Sequence, residues 1–120
     1  MTRLFKALIA SITALGLVFG LTACAEPLDM KNVTAIIDVR TAEEFATGHL
    51  EGAVNIDVQG MDFQAQISQL DPNGTYVVYC RSGNRSGQAI EQMKSLGFKN
   101  LTNGGAVSNA SSLTGLPIVQ

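Results

Sequence analysis

The fold follows from Tyr76-Val77-Val78-Tyr79-Cys80-Arg81-Ser82-Gly83-Asn84-Arg85-Ser86-Gly87, an apolar run that ends on a cysteine and continues as a short polar loop. The apolar part is built of valine and tyrosine, residue types that favour strands. Beyond the loop, helical spacing and a final glycine predict an amphipathic helix from Ala89, Ile90, Met93, Leu96 and Gly97. Functional residues in open α/β sheets gather beyond the carboxyl ends of strands. We therefore expect Cys80 to lie in a functional site.

Cys80 needs stabilisation to act as a nucleophile, because a thiol with a pKa of about 8.5 is mostly neutral at pH 7. Arg81 and Arg85 supply two permanent cations close to it in sequence. The segment Ser82-Gly83-Asn84 can turn its backbone N–H groups inward, and a helix beginning near Ser86 would point its positive end at the same place. Ser86 is suited to cap that helix, and its hydroxyl can donate to the sulfur anion. The loop thus predicts an anion-binding cradle around a thiolate and disfavours a purely structural cysteine.

The rest of the chain alternates between strand and helix patterns. Thr41 and Glu44 form a capping box that predicts a short helix ending near Gly48. Further helices are expected over 61–70 and in the segment 106–113, with a turn at 71–74 and a surface tail from Pro117. Strands are predicted at residues 33–39, 53–56, 75–79 and 100–102. This order predicts an α/β fold with a mostly parallel sheet.

The N-terminus has the pattern of an export signal. Arg3 and Lys6 precede an uncharged apolar run of about 15 residues, which is shorter than the ~20 that a bilayer span requires. Leu21-Thr22-Ala23-Cys24 resembles the lipobox of bacterial lipoproteins, in which the cysteine is lipidated. We therefore expect a signal peptide at 1–23, a tether at 24–32 and a domain at 33–120. The protein would be exported to the periplasmic or cell-surface side and anchored there through lipid on Cys24.

The two cysteines leave alternatives for this N-terminal segment. An ordinary secretory signal would also fit the charges and the apolar run, although it has no need of a cysteine after the small residues. If Cys24 carries no lipid, a disulfide between Cys24 and Cys80 is possible in an oxidising compartment. If Cys24 is lipidated, Cys80 is the one free thiol of the chain.

Charge narrows the range of partners. The whole chain carries a formal net charge of −2, and removal of residues 1–23 leaves six basic against ten acidic side chains, a net charge of −4. This acidic balance, without a basic patch, excludes a nucleic-acid binder of the usual kind. We expect membrane contact through the N-terminal lipid only and a monomeric protein whose remaining length can bury a modest core.

Three blocks of the sequence resemble the rhodanese-type sulfurtransferases. The first comprises Ile37-Asp38-Val39-Arg40 with Glu43-Glu44-Phe45, the second Gly48-His49-Leu50-Glu51-Gly52-Ala53-Val54-Asn55-Ile56, and the third the loop from Cys80 to Ser86 with Ala89 and the helix up to Gly97. The resemblance implies a rhodanese-like fold, a mostly parallel five-stranded sheet flanked by helices. It also implies a sulfurtransferase that needs no metal and no organic cofactor.

The resemblance assigns roles within the third block. Cys80 would be the catalytic residue that carries sulfur as a persulfide, taken from a small anionic donor such as thiosulfate and passed to a thiophilic acceptor such as cyanide or a thiol. The residues expected to bind the substrate are Arg81, Ser82, Gly83, Asn84, Arg85 and Ser86. The chain departs from the family after Gly104-Gly105, where Ala106-Val107-Ser108-Asn109 replaces the usual large or aromatic residues and tryptophan is absent. This departure leaves the wall of the pocket undefined.

Structural roles, not catalytic ones, are expected for the other residues that stand out in the sequence. Asp38 and Arg40 would hold the end of the first strand by hydrogen bonds, since charged residues are paired when buried. His49 is the only histidine, and we interpret it as structural. Tyr76 and Tyr79 would pack in the core.

Two other functions compete with sulfur transfer. Cysteine phosphatases and arsenate reductases also hold an oxyanion above a thiolate, but their loops have five residues between cysteine and arginine, whereas four separate Cys80 from Arg85. We therefore rank them below a sulfurtransferase. The second alternative is a persulfide carrier or binding module that has no turnover of its own, for which the same Cys80 would serve.

Overall fold

A four-stranded parallel sheet is the centre of the fold in a computed structural model that describes residues 28–120. In chain order the strands are β1 Ala35–Asp38, β2 His49–Leu50, β3 Val54–Asn55, β4 Thr75–Tyr79, β5 Asn100–Gly105 and β6 Ile118–Val119. The order across the central sheet is β3-β1-β4-β5, and β2 pairs with β6 in a separate antiparallel ladder. β4 therefore lies inside the sheet, which explains why its residues form a continuous apolar run.

Helices cover both faces of the sheet. They are α1 Ala42–Thr47, α2 Phe63–Ile67, α3 Asn84–Ser95 and α4 Val107–Thr114, and a 3-10 turn spans Met30–Asn32. Side chains of β4 alternate between the faces. Tyr76, Val78 and then Cys80 enter the core under α2 and α3, whereas Val77 and Tyr79 enter the core under α4. Cys80 thus belongs to the α3 side of the sheet.

The predicted α/β fold with a mostly parallel sheet is confirmed. Within residues 28–120 the central sheet has the four strands predicted from the residue pattern, not the five that the resemblance implies. The helix predicted over 61–70 is shorter, because only Phe63–Ile67 is helical.

The residues predicted to form a surface tail from Pro117 do lie mostly at the surface, but two of them form a strand. Ile118 and Val119 pair with Leu50 and His49, and Glu51 N–H donates to the Pro117 carbonyl oxygen at 2.9 Å. β2 pairs with no strand of the central sheet, and its ladder partners are instead the residues of β6.

The predicted signal peptide at 1–23 and Cys24 lie outside the described residues. Residues 28–32 of the predicted tether lie against the domain: Leu28 N–H donates to the Leu113 carbonyl oxygen at 2.8 Å, and Leu28 and Met30 pack on the core under α4. No helix within residues 28–120 is long and apolar enough to cross a bilayer.

A bulge in β5 fixes the place where β4 ends. Asn103 lies opposite Val78, but the next residue, Tyr79, lies opposite Gly105, so Gly104 is the extra residue. A Cβ on Gly104 would lie 3.1 Å from side-chain carbons of both Tyr79 and Val77, which explains the glycine. Immediately beyond, Cys80 N–H donates to the Gly105 carbonyl oxygen at 2.9 Å. The bulge therefore anchors the cysteine at the carboxyl edge of the sheet.

Candidate active site

Cys80 is enclosed by the loop that follows it. The residue is buried, with 0% of its surface exposed. Gly83 N–H donates to Cys80 Sγ at 2.9 Å, and Ser86 Oγ lies 3.5 Å from the same sulfur. Gly83 has a φ of +98°, and a Cβ there would lie 3.4 Å from Gly105 Cα. Only glycine adopts this left-handed conformation without strain and lets the loop close over the sulfur.

The helix after the loop begins earlier than expected. α3 starts at Asn84 with Gly83 as its N-cap, so the prediction that Ser86 caps the helix is wrong. Ser86 is the third residue of the helix and is buried. Its hydroxyl lies near the sulfur, Asn103 Oδ1 and the Gly83 carbonyl oxygen, and it accepts from no backbone N–H of the first turn. The expectation that its hydroxyl reaches the sulfur agrees with the 3.5 Å separation.

The surroundings of Cys80 favour its anion. Burial raises the pKa of the thiol, but hydrogen bonds from the Ser86 hydroxyl and from the backbone N–H groups of Ser86, Ser82 and Gly83 outweigh it, and the net pKa is lowered. A thiolate is the nucleophilic form of cysteine, so this environment suits covalent chemistry.

Arg85 is held by an acidic side chain of α1. Its Nη1 and Nη2 atoms donate to the two carboxylate oxygens of Glu44 at 2.7 and 2.9 Å. The hydrogen bonds from Arg85 are the main reason that the pKa of Glu44 falls to about 2, and a bond from Thr41 N–H adds to the effect against the opposing influence of burial. The pair joins α1 to α3 beside the cysteine. A direct contact of Arg85 with substrate therefore stays a prediction.

Of the two arginines in the loop, Arg81 is the one that faces solvent. It is exposed, and none of the hydrogen bonds or ion pairs among the described residues involves its side chain. It borders an open cavity of about 450 Å³ whose lining comprises Arg40, Glu43, Glu44, Thr47 and Arg81. Arg81 can thus meet an anion that approaches the loop from this side.

Ser82 and Asn84 are exposed at the rim of the loop. Asn84 N–H donates to Ser82 Oγ at 3.4 Å, which tightens the turn. Neither side chain contacts the sulfur in the hydrogen bonds of the described residues, so their proposed contact with substrate stays a prediction.

Asp38 and Arg40 form the buried framework behind the cavity. Arg40 Nε and Nη2 donate to the Asp38 carboxylate, the shortest contact being 2.7 Å, and Nη2 also donates to the Gly48 carbonyl oxygen at 2.7 Å. The hydrogen bond with Asp38 is the main reason that the pKa of Arg40 is raised. The predicted role of these two residues in holding the strand end is confirmed.

His49 and Tyr79 also have structural contacts. The His49 ring stacks on Phe45 at 3.7 Å, and its Nδ1–H donates to the Phe45 carbonyl oxygen at 2.8 Å. The buried Tyr79 hydroxyl accepts from Leu50 N–H at 3.0 Å, and burial raises its pKa. These contacts agree with the structural interpretation of both side chains.

Asn103 is the residue near the site that the sequence pattern misses. Its Oδ1 accepts from Gly105 N–H at 2.9 Å and from Ser86 Oγ at 2.7 Å, and its Nδ2 donates to the Gly83 carbonyl oxygen at 3.2 Å. The strand pattern predicts an end at residue 102, and the only available signal was the position of Asn103 directly before Gly104-Gly105. Asn103 thus joins β5 to two residues of the cysteine loop.

Comparison with known proteins gives consistent matches to one family. The model of the rhodanese-like domain matches residues 21–107. Thiosulfate sulfurtransferase PspE of Escherichia coli strain K12 is 33% identical over 98 residues, which cover 82% of this chain and 88% of that protein. The putative sulfur carrier protein YrkF of Bacillus subtilis strain 168 is 34% identical over 84 residues, 70% of this chain but 44% of that protein.

The solved structures agree with the sequence matches. A structure described as a rhodanese with anions from E. coli superposes with a TM-score of 0.60 and 31% sequence identity, covering 72% of this chain and 96% of that chain. A rhodanese-related protein from Thermoplasma volcanium gives a TM-score of 0.60 at 27% identity, covering 76% of this chain and 87% of that chain.

The ion pair between Arg85 and Glu44 predicts that the stability of the protein depends on pH. Because the pKa of Glu44 is lowered from 4.5 to about 2, its stabilising effect is present above pH 4.5 and is lost as the pH falls towards 2. We expect Glu44→Gln to lower the free energy of unfolding at pH 7 by about 1 kcal/mol, a modest value because the pair is partly exposed. Urea unfolding at several pH values measures the difference.

The matched control is Glu43→Gln, which removes an exposed carboxylate from the same helix and should change stability by less than about 0.5 kcal/mol. If the deficit of Glu44→Gln is as large at pH 2 as at pH 7, the ion pair is not its source.

Proposed function

Because the chain belongs to the rhodanese-like domain family, we propose that it transfers sulfane sulfur from thiosulfate, or a similar donor, to cyanide or a thiol through a persulfide on Cys80. The observation that carries the proposal is the 2.9 Å hydrogen bond from Gly83 N–H to Cys80 Sγ. A backbone donor aimed at a buried sulfur stabilises negative charge there, and both the thiolate and the persulfide are anions.

The first half-reaction forms the persulfide. The Cys80 thiolate attacks the outer sulfur of thiosulfate, a sulfur–sulfur bond forms to Cys80, and the bond to the SO₃ group breaks. Sulfite leaves with the electron pair of that bond and carries a charge of −2, while the terminal sulfur on Cys80 retains the remaining negative charge. The loop amides and the Ser86 hydroxyl donate hydrogen bonds first to the thiolate and then to the persulfide of Cys80. The negative charge thus stays stabilised as it moves outward by one sulfur atom.

The second half-reaction removes the transferred sulfur from Cys80. Cyanide, or an acceptor thiolate, attacks the terminal sulfur of the persulfide, and the Cys80 thiolate leaves with its electron pair. With cyanide the product is thiocyanate, and the total charge is unchanged. Each half-reaction is a displacement at sulfur with one nucleophile and one leaving group, so the chemistry proposed needs no metal and no organic cofactor.

Arg81 and Arg85 differ in what they can contribute. Arg81 is exposed beside the cavity and can attract and orient a dianionic donor. Arg85 is paired with Glu44, yet its charge acts on Cys80 as well, since the cysteine contributes to the raised pKa of Arg85. We propose Arg81 as the main donor contact and Arg85 as a fixed cation of the cradle.

A persulfide carrier without turnover is the second candidate. It is supported by the complete burial of Cys80, which limits access for an external acceptor, and by the relative from Bacillus subtilis that is named a putative sulfur carrier protein. In this case a protein partner would open the loop and collect the sulfur.

We further propose that the mature protein acts outside the cytoplasm, attached to a membrane through lipid on Cys24. The support is the sequence: a charged start, an apolar run and Leu21-Thr22-Ala23-Cys24. The sulfur chemistry of Cys80 would then take place without a second protein thiol, because Cys24 is the only other cysteine of the chain.

Replacing Cys80 tests the catalytic proposal. We expect Cys80→Ala to abolish thiocyanate formation from thiosulfate and cyanide, because the sulfur then has no acceptor atom on the protein. Cys24→Ala is the matched control and should keep full transfer. Equal activity of Cys80→Ala and the unchanged chain would contradict the proposal. Absence of turnover with an added sulfur on the Cys80 peptide, detected by mass spectrometry, would favour the carrier.

Replacing Arg81 tests the donor contact. We expect Arg81→Ala to raise the KM for thiosulfate about tenfold, the equivalent of ~1.4 kcal/mol of binding, with little change in stability. Arg81→Lys keeps the charge and should lose less, whereas Arg85→Ala should also lower the melting temperature, because it leaves Glu44 unpaired. An unchanged KM in steady-state assays of Arg81→Ala would rule out this contact.

Replacing Cys24 tests the anchor. When the full chain is expressed in a bacterium and labelled with radioactive palmitate, we expect label on the unchanged chain and on Cys80→Ala but none on Cys24→Ala. Equal labelling of Cys24→Ala, or no labelling of any variant, would contradict lipidation at this cysteine.

A further inference from the structure

The Ser86 hydroxyl has more partners than it has protons. Its oxygen lies 2.7 Å from Asn103 Oδ1, 3.0 Å from the Gly83 carbonyl oxygen and 3.5 Å from Cys80 Sγ. The two oxygen atoms can only accept, and a hydroxyl has one proton to donate. The three neighbours therefore compete for it.

The orientation of the Asn103 amide is fixed by its other contacts. Gly105 N–H can only donate, so the atom that faces it at 2.9 Å must be the amide oxygen, and the nitrogen then donates to the Gly83 carbonyl oxygen at 3.2 Å. The oxygen thus also faces Ser86. Its 2.7 Å contact is the shortest that the hydroxyl makes, and Asn103 is the strongest oxygen competitor for the proton.

The protonation state of the sulfur decides what Ser86 must do. A thiol carries its own proton and can donate a hydrogen bond to a lone pair of Ser86. The Ser86 hydroxyl then keeps its own hydrogen bond to Asn103. A sulfur anion has no proton, and the 3.5 Å contact is then a hydrogen bond only if Ser86 donates to the sulfur. Loss of the hydrogen bond from Ser86 costs Asn103 little, because its oxygen keeps the bond from Gly105 N–H and the residue is exposed to water.

We propose that Asn103 is a positioning residue whose amide oxygen accepts the hydrogen bond of the Ser86 hydroxyl while Cys80 is a thiol. When the sulfur becomes anionic, the hydroxyl keeps its proton and donates this hydrogen bond to the sulfur instead. This inference rests on the proposed function only in treating Cys80 as reactive. Asn103 touches neither the sulfur nor, in the proposed mechanism, the donor, and it acts through Ser86. Its effect is to add a second oxygen, beside the Gly83 carbonyl oxygen, with which the sulfur anion must compete for the hydrogen bond of Ser86.

The charged groups around the cysteine do not change in the test. α3 contributes Arg85, which forms an ion pair with Glu44 of α1 and also feels the charge of Asp57. The loop contributes the exposed Arg81. β5 contributes no charged residue. Substitutions at Asn103 and Ser86 therefore alter hydrogen bonds next to the sulfur without removing a charge.

The test is a double-mutant cycle on the alkylation of Cys80 in the full chain. The rate of reaction with iodoacetamide is measured against pH by mass spectrometry of the peptide that contains Cys80, which keeps Cys24 out of the readout. Asn103→Ala, Ser86→Ala and the double variant are compared, with melting temperatures as a check on folding. Alkylation needs no sulfur transfer, so failure of this inference is distinguishable from failure of the proposed function.

We expect the two substitutions to be coupled. When Ser86 is present, Asn103→Ala should lower the midpoint of the alkylation profile by about 0.5–1 pH unit more than it does in the Ser86→Ala background. The reason is that the nearer of the two oxygen atoms that compete with the sulfur for the Ser86 hydroxyl is gone. Loosening of the loop would shift both backgrounds alike and cancels in the cycle. Equal shifts in the two backgrounds, or no shift in either, would overturn the proposal.

Two further variants keep the test decisive. Asn109→Ala removes a side chain that donates to the Gly104 carbonyl oxygen at 2.6 Å in the same turn without touching Ser86, and any shift it causes should be the same in both backgrounds. Asn103→Leu removes the accepting oxygen without adding a charge, is close to asparagine in shape, and replaces Asn103→Ala if that variant does not fold. It should lower the midpoint only when Ser86 is present, and equal shifts in the two backgrounds would overturn the proposal.

Discussion

A sulfur anion that is buried away from water must be solvated by the protein, and this constraint shapes the site. Cys80 has no exposed surface, so the hydrogen bonds that water would supply come from the Gly83 amide and the Ser86 hydroxyl. Burial by itself raises the pKa of the thiol, and the donors of the loop reverse that effect. The chemistry available to the cysteine thus depends on a loop that keeps these donors within about 3–3.5 Å of one atom.

The loop keeps its shape because separate parts of the fold hold it. On the α1 side, Glu44 binds Arg85 with two short hydrogen bonds. On the β5 side, Gly105 lies against Gly83 and accepts from Cys80 N–H, while Asn103 binds both Gly83 and Ser86. The loop around Cys80 is therefore held on two sides by the fold itself, which is the condition for electrostatic stabilisation without reorganisation.

The two arginines of the loop show how similar residues come to have different contacts. Both were expected to bind the substrate, and in sequence both are permanent cations within five positions of Cys80. Their environments separate them, because Glu44 of α1 forms an ion pair with Arg85, whereas Arg81 takes part in none of the ion pairs within residues 28–120. The prediction of the capping box at Thr41 located Glu44 correctly, yet the same carboxylate also serves Arg85, a partner 41 residues away in the chain. Local patterns reveal local partners and cannot reveal this second one.

The sequence by itself determined the fold class, the cysteine at a strand end, the electropositive loop and the family, because these depend on short-range patterns: apolar runs, glycine positions and the spacing of Cys80, Gly83 and Arg85. Only the tertiary structure decided which side chains meet. It showed that β6 pairs with β2, that Ser86 lies inside α3 and not at its cap, and that Asn103 reaches the loop from β5. The physical reason is that a bulge at Gly104 and the register of β4 against β5 place Asn103 beside Ser86, and register between distant segments leaves no periodic trace in either of them.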